Sequence, residues 1–80
     1  MPIVMLRPKA IWTRLGCSRS GGYDKIKKGL LPPLIPLGPK SSALTEDEVE
    51  AINAARRAGK SDDEIRRLVR QLIAARKGVA

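Results

Sequence analysis

The chain has no histidine and no phenylalanine, and Cys17 is its single cysteine. Without histidine it lacks the usual acid–base group near neutral pH, most zinc chemistry and the usual proton switch. One cysteine permits no intramolecular disulfide and no cysteine metal site. The expectation is therefore no cofactor and no metal. Trp12 and Tyr23 are the only aromatic residues, so the core must be built from Leu, Ile, Val and Ala. No apolar run approaches the roughly 18 residues that a membrane span needs. The apolar part of MPIVMLRPKA is too short for a signal peptide. These features predict a cytoplasmic protein with no membrane partner. Eighty residues make one small domain, of a size that buries only about 60% of its unfolded surface.

Acidic residues are scarce in one half. Residues 1–44 carry eight basic residues against Asp24 alone, whereas residues 45–80 carry eight against seven acidic ones. A basic half joined to a balanced half, with a net charge of +8, fits a polyanion-binding unit plus a packing or partner unit. Nucleic acid is the favoured polyanion.

The elements follow from local chemistry. Ile3, Val4, Met5 and Leu6 form a short strand or an apolar lead-in. Pro8 suits the first turn of a helix, where its missing N–H costs nothing. That helix runs to Leu15, with Ile11, Trp12 and Leu15 on its apolar face, and Gly16 ends it. Ser18 is a good N-cap for a second helix over Arg19–Lys28. Tyr23 and Ile26 are predicted to face inward, Lys25, Lys27 and Lys28 outward, and Gly29 stops it. Pro32, Pro33 and Pro36 forbid a helix next, and Gly38-Pro39 marks a turn between two extended arms. This reads as a small two-stranded wing. Thr45 to Glu48 is a capping box, opening a helix with Val49, Ile52 and Ala55 or Arg56 along its inner line. Ser61 to Glu64 is a second capping box. The last helix carries Ile65, Leu68, Val69, Leu72 and Ile73, an apolar stripe at helical spacing. Either the stripe completes the core or it meets another subunit; self-association is the expectation.

The stretch Gly16-Cys17-Ser18-Arg19-Ser20-Gly21-Gly22-Tyr23-Asp24-Lys25-Ile26-Lys27-Lys28-Gly29 admits two readings. The spacing Gly16 to Gly21 matches the first half of a phosphate-binding loop. The match then fails, because Gly22 and Tyr23 stand where the lysine and the Ser/Thr should be. The other reading is a helix-turn-helix whose second helix enters a major groove. Ser18, Arg19 and Ser20 place short donors and one bidentate arginine at its first turn, and the helix N-terminus itself favours phosphate. Tyr23 belongs either to the core or to a phosphate contact. Cys17 and Trp12 read as core residues.

The string from Leu6-Arg7 through Leu15-Gly16-Cys17-Ser18-Arg19-Ser20, Tyr23, Ile26-Lys27-Lys28-Gly29 and Leu31-Pro32-Pro33 to Leu37-Gly38-Pro39-Lys40, followed by the acidic helix start at Glu46–Glu50, resembles the AlpA family. The resemblance covers about residues 5–56. These are small prophage and mobile-element regulators with a MerR-like winged helix-turn-helix, and related members are excisionases, also called recombination directionality factors. The resemblance implies sequence-specific binding of double-stranded DNA without catalysis. It places Ser18, Arg19, Ser20 and Tyr23 at the start of the recognition helix and Lys40 on the wing. Ser41 and Ser42 follow on the wing, and a tyrosine or serine integrase is an implied partner. The family usually has Thr-Ile at Gly21-Gly22, and often Phe at Leu31 and Trp at Leu44. Two helical glycines, each about 1 kcal/mol worse than alanine, predict a recognition helix that frays at its start until DNA orders it.

The expected fold is thus mainly α: a winged helix-turn-helix over residues 1–58, then a C-terminal amphipathic helix over 59–80. Two rivals are a protein-interaction module, whose helices dock a partner, and a basic membrane-surface helix. The acidic start and absent aromatics of the last helix argue against the second.

Overall fold

The computed structural model describes residues 4–77; Ile3 lies outside that range. Four helices and one small antiparallel sheet alternate as β1 (Met5–Leu6), α1 (Pro8–Leu15), α2 (Arg19–Lys27), β2 (Ile35–Gly38), β3 (Ser41–Thr45), α3 (Glu46–Arg57) and α4 (Asp62–Lys77). The fold is rich in helix, as the sequence implied. The sheet, however, has three strands in the order β1-β3-β2, not two. Met5 pairs with Thr45 and Leu6 with Leu44, so the apolar lead-in becomes a strand by reaching a partner about 40 residues away in the chain. β2 is an edge strand, a position where Pro36 is tolerated. A register irregularity between Pro36 and Gly38 leads into the Pro39-Lys40 turn.

Local signals fix most boundaries. Pro8 occupies the first turn of α1, and Gly16 closes it in the left-handed conformation at φ +68. The Thr45 hydroxyl accepts from the Glu48 N–H, and the Glu48 carboxylate accepts from the Thr45 N–H, completing the first capping box. The second box forms in the same way between Ser61 and Glu64. The Ser61 backbone N–H and hydroxyl hold the Glu64 carboxyl below its ordinary value of 4.5. A carboxyl lowered on folding stabilises above the unfolded value, and that contribution is lost as pH falls through the lowered one.

The core joins the sheet to three helices. Leu6, Ile11, Trp12, Leu30, Leu31, Leu44, Val49, Ile52, Ile65 and Val69 form one buried cluster. Leu31 and Leu44, where the resembled family often carries aromatics, are fully buried as leucines. Ile65 and Val69 lie inside this cluster. They complete the chain's own core and are not available for a contact between copies, which corrects the expectation that the whole stripe is a self-association surface. Leu68, Leu72 and Ile73 are half-buried against the same core. No helix among the described residues is long and apolar enough to cross a membrane.

α4 also binds the rest of the chain through two arginines. Arg66 donates from Nε to the Lys28 carbonyl at 2.9 Å, at the C-terminal end of α2. Arg76 grips the buried Glu48 carboxylate through Nε at 2.7 Å and a second guanidinium nitrogen at 3.1 Å.

Candidate nucleic-acid interface

α1 and α2 are joined by the three residues Gly16, Cys17 and Ser18. Ser18 caps α2: its hydroxyl oxygen accepts from the Gly21 N–H at 3.1 Å. Its hydroxyl proton stays free to donate outward. Cys17 is half-buried and packs on the core, as expected of a small core residue.

Trp12 dictates how α2 sits. Its ring packs against α2 at Gly22, and Gly22 is buried there. A Cβ at Gly22 would overlap Trp12 Cε3 and Cζ3 and stand 2.8 Å from Cη2. Gly22 is therefore the residue that admits the tryptophan. The space that an aliphatic side chain on α2 would fill is taken by Trp12. At the start of α2 the Gly22 N–H donates to the Ser18 carbonyl at 2.8 Å. Gly21 is under no such constraint: a Cβ there would meet only the Ser18 hydroxyl at 3.3 Å and Cys17 Cβ at 3.8 Å.

Tyr23 departs from the inward reading. It is 43% exposed, because Gly22 and Ile26 define the buried line of α2 and Tyr23 lies beyond its edge. Its ring meets Trp12 edge-on, with centroids 5.3 Å apart and an interplanar angle of 63°. The Arg19 guanidinium lies over the same ring, 5.9 Å from its centroid. Arg19, Tyr23 and Lys27 are spaced four apart, so they form one row along the helix. All three are exposed, as is Ser20.

The lysines do not act together. Lys27 continues the row of Arg19 and Tyr23. Lys28 pairs with Asp24 at 2.9 Å. Lys25 is half-buried and, with Leu15, Leu31, Ile52, Asn53 and Arg56, lines a cavity on the other flank of α2. The expectation that all three point outward to one surface is corrected for Lys25. Lys40 is exposed in the β2–β3 turn, and Ser41 and Ser42 are half-buried on β3.

Charge pairing separates the two halves of the chain. Arg14 binds Glu46 and Glu50, Arg56 binds Asp62, Lys60 binds Glu64, Arg66 binds Asp63 and Arg76 binds Glu48. Among the described residues, Arg7, Lys9, Arg19, Lys25, Lys27 and Lys40 have no carboxylate partner. Arg57, Arg67 and Arg70 on α3 and α4 are likewise unpaired among the described residues. The surface can therefore hold a polyanion along the Arg19–Tyr23–Lys27 row. Among the described residues every Asp and Glu side chain except Asp47 is held in an ion pair.

Sequence reasoning missed three residues: Gly22 as a packing site, Arg66 as a tie to α2, and Arg76 as the partner of Glu48. Only the placement of Trp12, one of two aromatics, hinted at the first. No protein-family profile, no curated protein and no solved structure matches this chain.

Proposed function

We propose that the chain binds double-stranded DNA sequence-specifically as a MerR-like winged helix-turn-helix. In this reading α1 and α2 are the helix-turn-helix, and α2 enters the major groove, whose width of about 12 Å admits a helix. The β2–β3 hairpin is the wing, with Lys40, Ser41 and Ser42 near phosphate. Ser18, Arg19 and Ser20 begin the contact, and Tyr23 and Lys27 extend it. Lys25 and Lys28 play smaller parts. The observation that carries the reading is the distribution of unpaired charge. The N-terminal half presents basic side chains without carboxylate partners on the helix and turn that the helix-turn-helix reading aims at DNA.

The AlpA resemblance supports a role in a mobile element. The protein then acts as an excisionase, bending DNA beside a tyrosine or serine integrase, or as a transcription regulator. Head-to-tail binding to tandem sites favours the first, and a symmetric dimer on a palindrome the second. Any association of copies uses the outer rims of Leu68, Leu72 and Ile73, since Ile65 and Val69 are enclosed.

The test is a salt-titrated binding assay that compares a duplex selected from a random pool with unselected duplex. Selected duplex should bind at least about 10³-fold tighter. Lys27→Ala and Lys40→Ala should each flatten the slope of log K against log salt by about one. Lys28→Ala should flatten it less, because Asp24 already holds that ammonium. No preference for any duplex refutes the reading. It would favour the protein-interaction module, for which a groove of about 460 Å³ lined by Ile35, Thr45, Leu72 and Ala75 is the available surface.

A further inference from the structure

Arg19 is the only basic residue of α2 whose charge lies over an aromatic ring among the described residues. It has no carboxylate partner among the described residues. A long, exposed arginine without a partner normally samples many rotamers and loses that freedom on binding. Here three side chains form a chain of contacts instead. Gly22 lets Trp12 lie against the helix. Trp12, nearly buried, meets the Tyr23 ring edge-on. The Arg19 guanidinium in turn lies over the Tyr23 ring. A guanidinium within about 6 Å of a ring centroid is attracted by the ring's negative face, and its planar fork remains open for a bidentate contact.

We infer that Tyr23 is a positioning residue: its ring, braced by Trp12, seats the Arg19 fork for a guanine edge, and Arg19 is the specificity-determining residue of the surface. This inference rests on the DNA-binding reading and deepens it. Guanine follows from the chemistry, because O6 and N7 are two acceptors in the major groove that match the fork. The seat assigns Tyr23 a role through its ring rather than its hydroxyl. A phosphate contact would use the hydroxyl instead, so the two roles predict opposite behaviour of the phenylalanine variant.

The experiment measures binding of the wild-type protein, Tyr23→Phe, Tyr23→Leu, Arg19→Ala and Tyr23→Leu/Arg19→Ala to the selected duplex and to duplexes with single guanine replacements. Arg19→Ala should lose about 5- to 150-fold of the discrimination at one guanine. Tyr23→Leu should lose about two- to fivefold at that same guanine, with an unchanged salt slope, and should have no further effect once Arg19 is alanine. Tyr23→Phe should match the wild type. In the free protein, the Arg19 side-chain resonances should be ring-current shifted in the wild type and Tyr23→Phe, and unshifted in Tyr23→Leu. That readout requires no DNA, and a melting curve confirms that each variant is folded. Loss of binding in Tyr23→Phe equal to that in Tyr23→Leu overturns the seat in favour of a hydroxyl contact. Wild-type discrimination in Tyr23→Leu, or an undiminished effect on the Arg19→Ala background, also overturns it. If the wild type prefers no duplex, the DNA reading itself fails, and this is seen before any variant is compared.

Discussion

Gly22→Ala should melt about 10 °C below the parent protein, whereas Gly21→Ala should melt no lower than the parent. The two glycines are adjacent and lie in the same helix, so propensity alone makes both substitutions favourable by about 1 kcal/mol. Packing separates them. A Cβ at Gly22 collides with the Trp12 ring, which is rigid, nearly buried and backed by the core. Three ring atoms inside contact distance put the overpacking cost at the upper end of its range, ~3 kcal/mol; less the ~1 kcal/mol propensity gain, the net loss of about 2 kcal/mol corresponds to ~10 °C in a domain of this size. At Gly21 the nearest atom is the Ser18 hydroxyl at 3.3 Å, a group that rotates aside. Thermal unfolding followed by circular dichroism reads the difference. A smaller side chain at position 12 should relieve the clash, so Trp12→Leu and Gly22→Ala together should cost at least ~1 kcal/mol less than the sum of their separate losses. Equal melting of the two alanine variants would contradict this account of Gly22.

The second large effect is expected at Arg76. Glu48 is a buried carboxylate, with its side chain only 7% exposed, and Arg76 is its bidentate partner at 24%. Glu48 also closes the N-terminal capping box of α3. Arg76→Ala leaves that charge enclosed, with the Thr45 N–H as its remaining described donor. Breaking a buried pair costs ~3 kcal/mol at the low end of its range, and the partial exposure of Arg76 places the loss there. Replacing both partners by neutral residues, Glu48→Gln with Arg76→Met, should recover most of it, because no uncompensated charge is left. Arg14→Ala is the control. It removes surface pairs to Glu46 and Glu50 and should cost less than ~1 kcal/mol. Urea unfolding at low and high salt tests both. The Arg76→Ala deficit should persist in high salt and that of Arg14→Ala should fade. A deficit of the same size in both variants would contradict a special role for the buried pair.

What was legible in the sequence was mostly local. Pro8, Gly16, Ser18 and the two capping boxes each act within four residues, and each sits where its chemistry placed it. The α4 stripe was legible for the same reason, although its destination was not: nothing in the spacing of Ile65 and Val69 tells a chain's own core from another copy's. The features left open, misread or missed depend on partners outside their own helix or strand. Met5–Leu6 becomes a strand only because β3 lies alongside. Tyr23 turns outward because Trp12, on another helix, has claimed the inner line at Gly22. Glu48 and Arg76 are 28 residues apart, and Arg66 reaches the Lys28 carbonyl across 38. For the candidate site, the start of α2 was legible as residue types, while the row Arg19–Tyr23–Lys27 and the separation of Lys25 from it required the helix's packing.

The central claim is that α2 and the β2–β3 turn meet DNA. Amide chemical-shift mapping of the isotope-labelled protein with its selected duplex tests it most directly. Perturbations should concentrate at residues 18–27 and 38–42 and grow with duplex until one site is filled, with the exposed face of α4 unmoved. Perturbations gathered instead around Ile35, Leu72 and Ala75, or a spectrum unchanged by any duplex, would contradict it.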